Sequence, residues 1–265
     1  MANDALRIEK RPDGVAILWM DVPGEPMNTL KEDFVDSFMS AFGQIETDPE
    51  IKAVVLASGK KDSFIAGADV KMLEQVQTQE DGERMSLEGH KAMDRMESCP
   101  KPVVAAIHGV AFGGGLETAL ACHARVASDS SKTKLGLPES QLGLLPGAGG
   151  TQRLPRLIGV QPALDMMLTG KQIPAKKAKK LGLVDDVVPP SILIETAAEL
   201  ALSRVGHKPK RESFIDQLTD KDAVAELALT KNPIGRKVLF DQARKQLHKQ
   251  TRGNYPAQDL IIDVV

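Results

Sequence analysis

The stretch "GVAFGGGLETALACHARV", at 109–126, joins three consecutive glycines to a run of residues that predicts a helix. Glycine is costly inside a regular element, so Gly113, Gly114 and Gly115 indicate backbone that bends sharply or approaches another group closely. Glu117 follows within the first turn of the predicted helix. The unpaired N–H groups of a helix start suit an oxygen that gains negative charge during a reaction, and a nearby carboxylate can exchange a proton. These residues form a candidate oxyanion site.

Other interpretations of the same glycines differ in the residues that they require. A P-loop needs a lysine and a serine or threonine after its last glycine, where this chain has Leu116 and Glu117. Thr118 breaks the third glycine of a dinucleotide-binding pattern, and Glu117 would repel a phosphate at the helix start. A purely structural interpretation stays open, in which Glu117 complements the helix dipole and the glycines allow tight packing. This stretch alone favours the structural interpretation.

Two further stretches carry residues that could act beside the glycines. "SFIAGADVKML", at 63–73, follows a predicted strand with a turn of small residues that leaves backbone exposed, and it turns helical near Asp69. "LGLPESQLGLLPGAGGTQRL", at 135–154, places Glu139 ahead of a second glycine cluster. Taken alone, Glu139 is an ordinary loop acid.

The elements that must position these residues alternate between strands and helices, which predicts the α/β class. Phe34, Phe38 and Phe42 recur at helical spacing and predict a helix, with Asn28 or Thr29 as its cap. The last third of the chain contains no convincing strand and is predicted to be helical. Strands are predicted over 5–10, 15–22, 51–59, 102–109 and 183–189, and helices over 29–48, 83–99, 164–170 and 175–183.

Composition narrows the function classes. A formal net charge of -2 argues against a protein that binds nucleic acid and against a basic protein of the membrane surface. Cys99 and Cys122 fall in apolar or helical surroundings, which fits a reduced compartment better than a disulfide framework. No apolar run approaches membrane-spanning length, and "MANDALRIEK" resembles neither a signal nor a transit peptide. We therefore expect a cytoplasmic protein with no membrane span.

Four stretches, taken together, resemble the enoyl-CoA hydratase/isomerase family, also called the crotonase family. Their order and spacing match that family, and with the N-terminal strands they span nearly residues 5 to 190. The resemblance implies a crotonase-like spiral of repeated ββα units over 1–190 and a helical C-terminal region over 191–265. The stretches are "FIAGADVKML", "KPVVAAIHGVAFGGGLETALAC", "GLPESQLGLLPGAGGTQRLPRLIG" and "LTGKQIPAKKAKKLGLVDDVV".

The resemblance also implies an activity, the hydration of trans-2-enoyl-CoA in fatty acid β-oxidation. Matched by motif, the backbone N–H groups of Ala68 and Gly114 stabilise the enolate oxygen of the thioester. Glu117 would activate water and Glu139 would exchange the α-proton. "SDSSKTK" lengthens the segment between the two glutamates beyond the commonest family spacing, as in multifunctional members. The substrate is carried as a coenzyme A thioester, and we expect no other cofactor and no metal.

Several matched positions are candidates for contact with substrate. Asp69 has an alternative role as a helix cap, and Lys71 is equally well explained as a solvated charge. Asn28, in the matched loop beside Met27, has the alternative role of capping the next helix. His108 is expected to be packed or solvated, and the other histidines form no ligand spacing. The candidates are Met27, Ala66, Gly67, Asp69, Lys71 and Gly113.

Other functions compete with hydration. Isomerisation of enoyl-CoA needs only one acid placed like Glu139, and a module that binds CoA or supports assembly needs neither glutamate. "GNYPAQDLIIDVV", at 253–265, resembles a segment of multifunctional members, so the chain is expected to be a hydratase unit cut or descended from one. We expect a homo-oligomer or a part of a fatty acid oxidation complex, without the NAD-dependent second oxidation step.

Overall fold

The structure is a computed structural model that describes residues 5–31, 34–207 and 232–265. The strands are β1 Leu6–Lys10, β2 Val15–Met20, β3 Ala53–Ser58, β4 Ser63–Ile65, β5 Val103–Ile107, β6 Val110–Phe112, β7 Ala124–Ser128, β8 Lys134–Gly136, β9 Ile173–Pro174 and β10 Asp186–Val188. The helices are α1 Phe34–Thr47, α2 Val70–Glu74, α3 Gln79–Glu97, α4 Gly114–Ala121, α5 Gly150–Ile158, α6 Val160–Thr169, α7 Ala175–Lys180, α8 Leu193–Ser203, α9 Pro233–Thr251 and α10 Pro256–Val264. Two 3-10 turns cover Glu139–Leu142 and Pro190–Ile192.

The strands form two sheets, and from β3 to β8 the chain adds strands to them alternately. The larger sheet has the order β1-β2-β3-β5-β7-β10, and the smaller has the order β4-β6-β8-β9. Three successive units each supply one strand to the larger sheet, the next strand to the smaller sheet, and then one or two helices. Strands β4, β6 and β8 pair in parallel, so their carboxyl ends share one edge of the small sheet. This winding confirms the α/β class and the spiral of ββα units.

Both faces of the large sheet are covered, which explains why its central strands are continuously apolar. On β3, Val54 and Leu56 join the main core with α1 and α3, while Ala53, Val55 and Ala57 pack on the opposite face. That second face is covered by α8, which contributes the small side chains Ala197, Ala198 and Ala201. Helix α8 therefore packs on the large sheet although it lies beyond residue 190, and the division of the chain at that residue stays a prediction.

Most of the predicted elements are confirmed, and three helix starts are corrected, since α6 begins at Val160 and not at 164. The described part of α1 starts at Phe34, and residues 29–31 are not helical, so neither Asn28 nor Thr29 caps it. Helix α3 begins at Gln79, four residues before the predicted start, because Thr78 forms a capping box with Asp81. Beyond β10, the described residues contain helices and no strand, while 208–231 of the predicted helical region lies outside them. In the described ranges, no helix is long and apolar enough to cross a membrane.

The start of α4 lies directly against β4, and glycine is what allows this contact. A Cβ atom added to Gly115 would lie 2.1 Å from the carbonyl oxygen of Ile65 and 2.7 Å from its carbonyl carbon. No side chain fits at such a distance, so the helix and the strand would have to separate. The third glycine of the triplet therefore sets how closely α4 approaches the small sheet.

Gly115→Ala is expected to lower the free energy of unfolding by about 1–3 kcal/mol, because the added methyl group meets fixed backbone. Gly43→Ala in α1 is the matched control, since the nearest atom to its added Cβ is Arg95 Nη2 at 3.6 Å. Alanine at an unhindered helix position is expected to stabilise by about 0.5–1 kcal/mol. Thermal unfolding followed by circular dichroism measures both variants, and equal melting temperatures would contradict the close approach.

Candidate active site

Three groups predicted to do chemistry follow the parallel strands of the small sheet. Ala68 lies three residues after β4, Gly114 two residues after β6, and Glu139 three residues after β8. Because these strands are neighbours and run in the same direction, the three connections meet at one edge of the sheet. Open α/β sheets bind ligands at the carboxyl ends of their strands for the same reason. The three groups come from three different ββα units.

The backbone N–H groups of Ala68 and Gly114 lie close together and are both unused. A Cβ atom added to Gly114 would lie 3.8 Å from the nitrogen of Ala68. The bridge between Leu30 and Ala68 uses the carbonyl of Gly67 and the N–H of Asp69, so the N–H between them is left over. Gly114 is the first residue of α4, where the helix offers its N–H no acceptor. Neither group donates a hydrogen bond to a described residue.

Glycines with positive φ precede both of these donors. Gly67 has φ +117 and Gly113 has φ +52, a region that side chains rarely adopt. A Cβ atom added to Gly67 would lie 3.3 Å from the carbonyl oxygen of Phe112, so the two connections touch. A Cβ atom added to Gly113 would lie 3.2 Å from Glu139 Oε1. The pair of donors therefore lies directly beside the carboxyl group of Glu139.

The carboxylate of Glu117 is buried, with 3% of the residue exposed, and it is held at one oxygen. Oε1 accepts hydrogen bonds from the N–H groups of Ala148, at 2.9 Å, and Gly150, at 2.7 Å. Oε2 accepts none from a described residue. Burial raises the pKa of Glu117 to about 7, and the two N–H groups and Arg153 oppose that rise. A carboxylate with this pKa can take a proton near neutral pH.

Glu139 begins a 3-10 turn, and its carboxyl group has a different environment. Both of its oxygens are shielded from solvent and accept no hydrogen bond from the described part of the chain. Burial, and then the charge of Glu117, raise the pKa of Glu139 to about 8. Ser140 anchors the turn, because its hydroxyl donates to the carbonyl of Met167 at 2.7 Å. An uncompensated buried carboxyl group is costly to the fold, which marks it as a functional candidate.

The second glycine cluster supplies contacts to Glu117 that the sequence did not assign. A Cβ atom added to Gly150 would lie 2.9 Å from Glu117 Oε1, so only glycine lets this backbone approach the carboxylate. Arg153, one turn further on, donates to the carbonyl of Ala148 at 3.0 Å. The sequence analysis noted the glycine cluster "GAGG", at 147–150, after Glu139 but gave it no role. Its glycines were the signal that could have indicated a close backbone approach.

The candidate substrate contacts fall into two groups. Asp69 caps α2, since its Oδ1 accepts from Lys71 N at 2.8 Å, and this confirms the structural alternative. Lys71 is exposed, and Met27 is 46% exposed on the loop that precedes α1. The N–H of Ala66 is occupied, because it donates to the carbonyl of Asn28 at 2.8 Å. A contact of Met27, Ala66, Gly67, Asp69, Lys71 or Gly113 with coenzyme A stays a prediction.

Asn28 has a role that the sequence pattern did not predict. Its Oδ1 accepts from Val22 N at 3.0 Å, and its Nδ2 donates to the carbonyls of Met20, at 2.8 Å, and Phe64, at 3.0 Å. A third bond, of 2.9 Å, reaches the hydroxyl of Ser58. The buried amide thus ties the loop carrying Met27 to β2, β3 and β4, so the expectation of a helix cap was wrong.

Histidines and metal-binding groups add nothing to the site in the described residues. His108 Nδ1 lies 2.8 Å from the hydroxyl of Ser128, which in turn lies 2.6 Å from that of Thr133. This packed arrangement agrees with the expectation for His108. Across the described ranges, histidine, cysteine and acidic side chains form no cluster of three that could hold a metal ion.

Two buried carboxyl groups beside two unused N–H donors define a site for acid–base chemistry on an oxygen-bearing group. A family model described as "Enoyl-CoA hydratase/isomerase" matches residues 10–254. The chain belongs to the enoyl-CoA hydratase/isomerase family.

Two of the curated relatives that the chain matches cover nearly all of it. Proteins named "Fatty acid oxidation complex subunit alpha" are 54% identical over 259 residues in Shewanella amazonensis and 54% identical over 263 residues in Shewanella loihica. These matches cover 97% and 99% of this chain, but 35% and 36% of the relatives' lengths. The chain spans about a third of the length of these curated relatives.

Two solved structures are similar over most of the chain. The enoyl-CoA hydratase from Bacillus anthracis is 32% identical with a TM-score of 0.70, and the match covers 92% of this chain and 90% of that one. A Geobacillus kaustophilus structure described as "Enoyl-CoA hydrates" is 31% identical with a TM-score of 0.71, and the match covers 93% of this chain and 88% of that one. The likeness confirms the crotonase fold.

The pKa shift of Glu139 has a sign that stability measurements can test. The pKa rises from an ordinary 4.5 in the unfolded chain to about 8 in the fold, where burial favours the protonated form. The contribution of this group to stability is therefore complete below about pH 4.5 and is lost as the pH rises through about 8. Glu117 shifts in the same direction.

Glu139→Gln is expected to be more stable than the unchanged chain at about pH 9 and nearly equal to it at about pH 5, because the amide does not ionise. The difference follows from about 1.4 kcal/mol for each unit by which the pKa is raised. Urea unfolding at both pH values measures the effect. Glu88→Gln, at an exposed position of α3, is the control. Parallel pH dependences for the Glu139 variant and the unchanged chain would contradict the assigned burial.

Proposed function

We propose that this chain is an enoyl-CoA hydratase, which adds water to trans-2-enoyl-CoA and forms 3-hydroxyacyl-CoA in fatty acid oxidation. The observation that carries the proposal is the meeting of two carboxyl groups of raised pKa with two unused N–H groups. Family membership and the names of the relatives support the reaction. Hydration needs a base for water, an acid for the α-carbon and donors for a carbonyl oxygen, and the site has one candidate for each.

The proposed mechanism divides these tasks among four groups. Glu117, fixed at Oε1, takes a proton from water through its open Oε2, and the hydroxide oxygen bonds to the β-carbon of the enoyl group. The electron pair of the double bond moves to the thioester oxygen, which the N–H groups of Ala68 and Gly114 stabilise. Glu139 then gives its proton to the α-carbon, and the carbonyl re-forms. The two carboxyl groups exchange protons with solvent before the next cycle.

A second activity, isomerisation of enoyl-CoA, is favoured by one observation. Both oxygens of Glu139 are free of hydrogen bonds from described residues, so either can remove a proton from one carbon and return it to another. The oxyanion donors serve the same enolate in both reactions, whereas Glu117 is needed only for hydration. We therefore propose isomerisation as an accompanying activity that depends on Glu139.

The surroundings of the reaction are proposed with it. Hydration transfers no net electrons, so the proposed chemistry calls for no redox cofactor, and coenzyme A arrives with the substrate. The relatives' name supports participation in a fatty acid oxidation complex, with homo-oligomerisation as the alternative. The free, buried thiols of Cys99 and Cys122 are consistent with a cytoplasmic location.

Glu117→Gln and Glu139→Gln are expected to reduce hydratase turnover by about 10²–10⁴-fold each, because an amide neither takes nor gives a proton. Glu88→Gln, on the surface of α3, should leave turnover unchanged. The measurement is the loss of enoyl thioester absorbance, with a parallel assay of isomerisation. The Glu117 variant should retain isomerase activity that the Glu139 variant loses.

Other outcomes of these assays would favour a competing function over hydration. An unchanged chain that binds acyl-CoA without consuming enoyl-CoA would identify a binding or assembly module and overturn the hydratase proposal. Near-normal turnover in either glutamine variant would overturn the role given to that glutamate. Sustained NADH production from 3-hydroxyacyl-CoA and NAD would overturn the expectation that this 265-residue chain stops after hydration.

A further inference from the structure

Arg153 is a buried cation close to Glu117 that the proposed mechanism does not use. The residue is 8% exposed and lies in the first turns of α5. Its Nε donates to Glu97 Oε2 at 2.8 Å, and its Nη2 donates to Asp94 Oδ1 at 2.6 Å. Its Nη1 donates to the carbonyl of Ala148 at 3.0 Å. All three nitrogens of the guanidinium are therefore engaged, which fixes its position.

The carbonyl bound by Arg153 belongs to the loop that holds Glu117. The N–H of Ala148 donates to Glu117 Oε1, so one residue links the guanidinium to the carboxylate. Gly149 makes this link possible, because its φ is +99 and an added Cβ atom would lie 2.1 Å from Arg153 Nη1. Any side chain at this position would displace the guanidinium.

Helix α3 holds the same loop at two points. The hydroxyl of Ser86 donates to the carbonyl of Gly147 at 2.5 Å. Two turns further along α3, Asp94 and Glu97 hold Arg153, which in turn holds Ala148. The loop at 147–150 is thereby fastened on the side away from Glu117, while its N–H groups face the carboxylate.

The charged groups around Glu117 act in opposite directions. Glu139 is the neighbouring acid, and the two carboxyl groups disfavour each other's ionised form. Arg153 opposes this and lowers the pKa of Glu117. Asp94 and Glu97 partly neutralise Arg153 from α3, and the side chain of Asp94 is 70% exposed. Removal of the arginine charge therefore takes away the positive charge that lowers the pKa of Glu117.

We infer that Arg153 is a positioning residue for Glu117, which fixes the loop that binds Oε1 and whose charge favours the ionised carboxylate. The inference rests on the proposed role of Glu117 as the base. Arg153 touches no reacting atom in this arrangement. Its effect reaches the substrate through the geometry and the ionisation of Glu117.

Arg153→Gln is expected to move the acidic limb of the pH profile of kcat/KM to higher pH by about one unit. At pH values below the acidic limb, the variant then loses about tenfold more of its kcat/KM than it loses at high pH. Arg156→Gln is the matched control, since Arg156 lies on the same helix, is exposed, and donates only to Gln152 among the described residues. Arg153→Lys keeps the charge but loses the planar fork, so its limb stays near the original while kcat falls.

A second readout does not depend on turnover. Carbon-13 NMR of glutamate carboxyl groups follows the ionisation of Glu117, with the signal assigned by Glu117→Gln. In the Arg153→Gln variant, Glu117 should titrate at higher pH than it does in the unchanged chain. Asp94→Asn changes an exposed acid and keeps the cation, so Glu117 should titrate at lower pH. This variant serves as the test where the glutamine variant fails to fold.

The outcomes separate this inference from the proposed function. An unchanged chain without hydratase activity would overturn the proposed function, while the NMR titration would still test the link between Arg153 and Glu117. A uniform loss of activity with the limb and the titration unmoved would show that Arg153 only stabilises the fold, and would overturn the inference. An unmoved titration in both the Arg153→Gln and the Asp94→Asn variants would do the same.

Discussion

The contact on which the site depends is that of one buried carboxylate oxygen with two backbone N–H groups. Glu117 Oε1 lies 2.9 Å from Ala148 N and 2.7 Å from Gly150 N, and 3% of the residue is exposed. Burying a carboxylate is costly unless its oxygens are hydrogen-bonded. The tight loop, its glycines and the clamp by α3 all follow from the need to bring peptide groups, rather than side chains, to this oxygen.

The two glutamates differ because their surroundings differ. Glu117 receives two N–H groups and faces a cation, whereas Glu139 receives neither from the described residues. Burial raises the pKa of both groups, and the two N–H groups and Arg153 oppose this rise at Glu117. Environments that separate the pKa values of paired acids assign their roles as base and acid. A proton therefore rests preferentially on Glu139, which suits it to protonate carbon while Glu117 accepts from water.

Local patterns in the sequence predicted five of the six strands of the large sheet but not β7 or the four short strands of the small sheet, and motifs predicted the principal site. The alternation of apolar and polar residues identified β1, a continuous apolar run identified β2, and the glycine triplet marked the start of α4. The start of α3 was missed because of a local capping box, whereas the failures that concern the site came from contacts between distant parts of the chain. Asn28 was expected to cap a helix, but its partners include Phe64, which is 36 residues away. Arg153 gave no signal, because its role depends on acids of α3 that lie 56 and 59 residues before it.

The spiral explains why three repeating units make one site. Each unit ends its small-sheet strand at the same edge, and each contributes something different there: the N–H of Ala68, the N–H of Gly114 and the carboxyl group of Glu139. Two of the three are peptide groups, which have far less freedom than side chains and need little reorganisation when charge develops. Their position is set by strand pairing and by glycines that permit close approach. Substitutions on the outer faces of the spiral can therefore change its surface while the donors stay in place, whereas a methyl group at a contact glycine moves them.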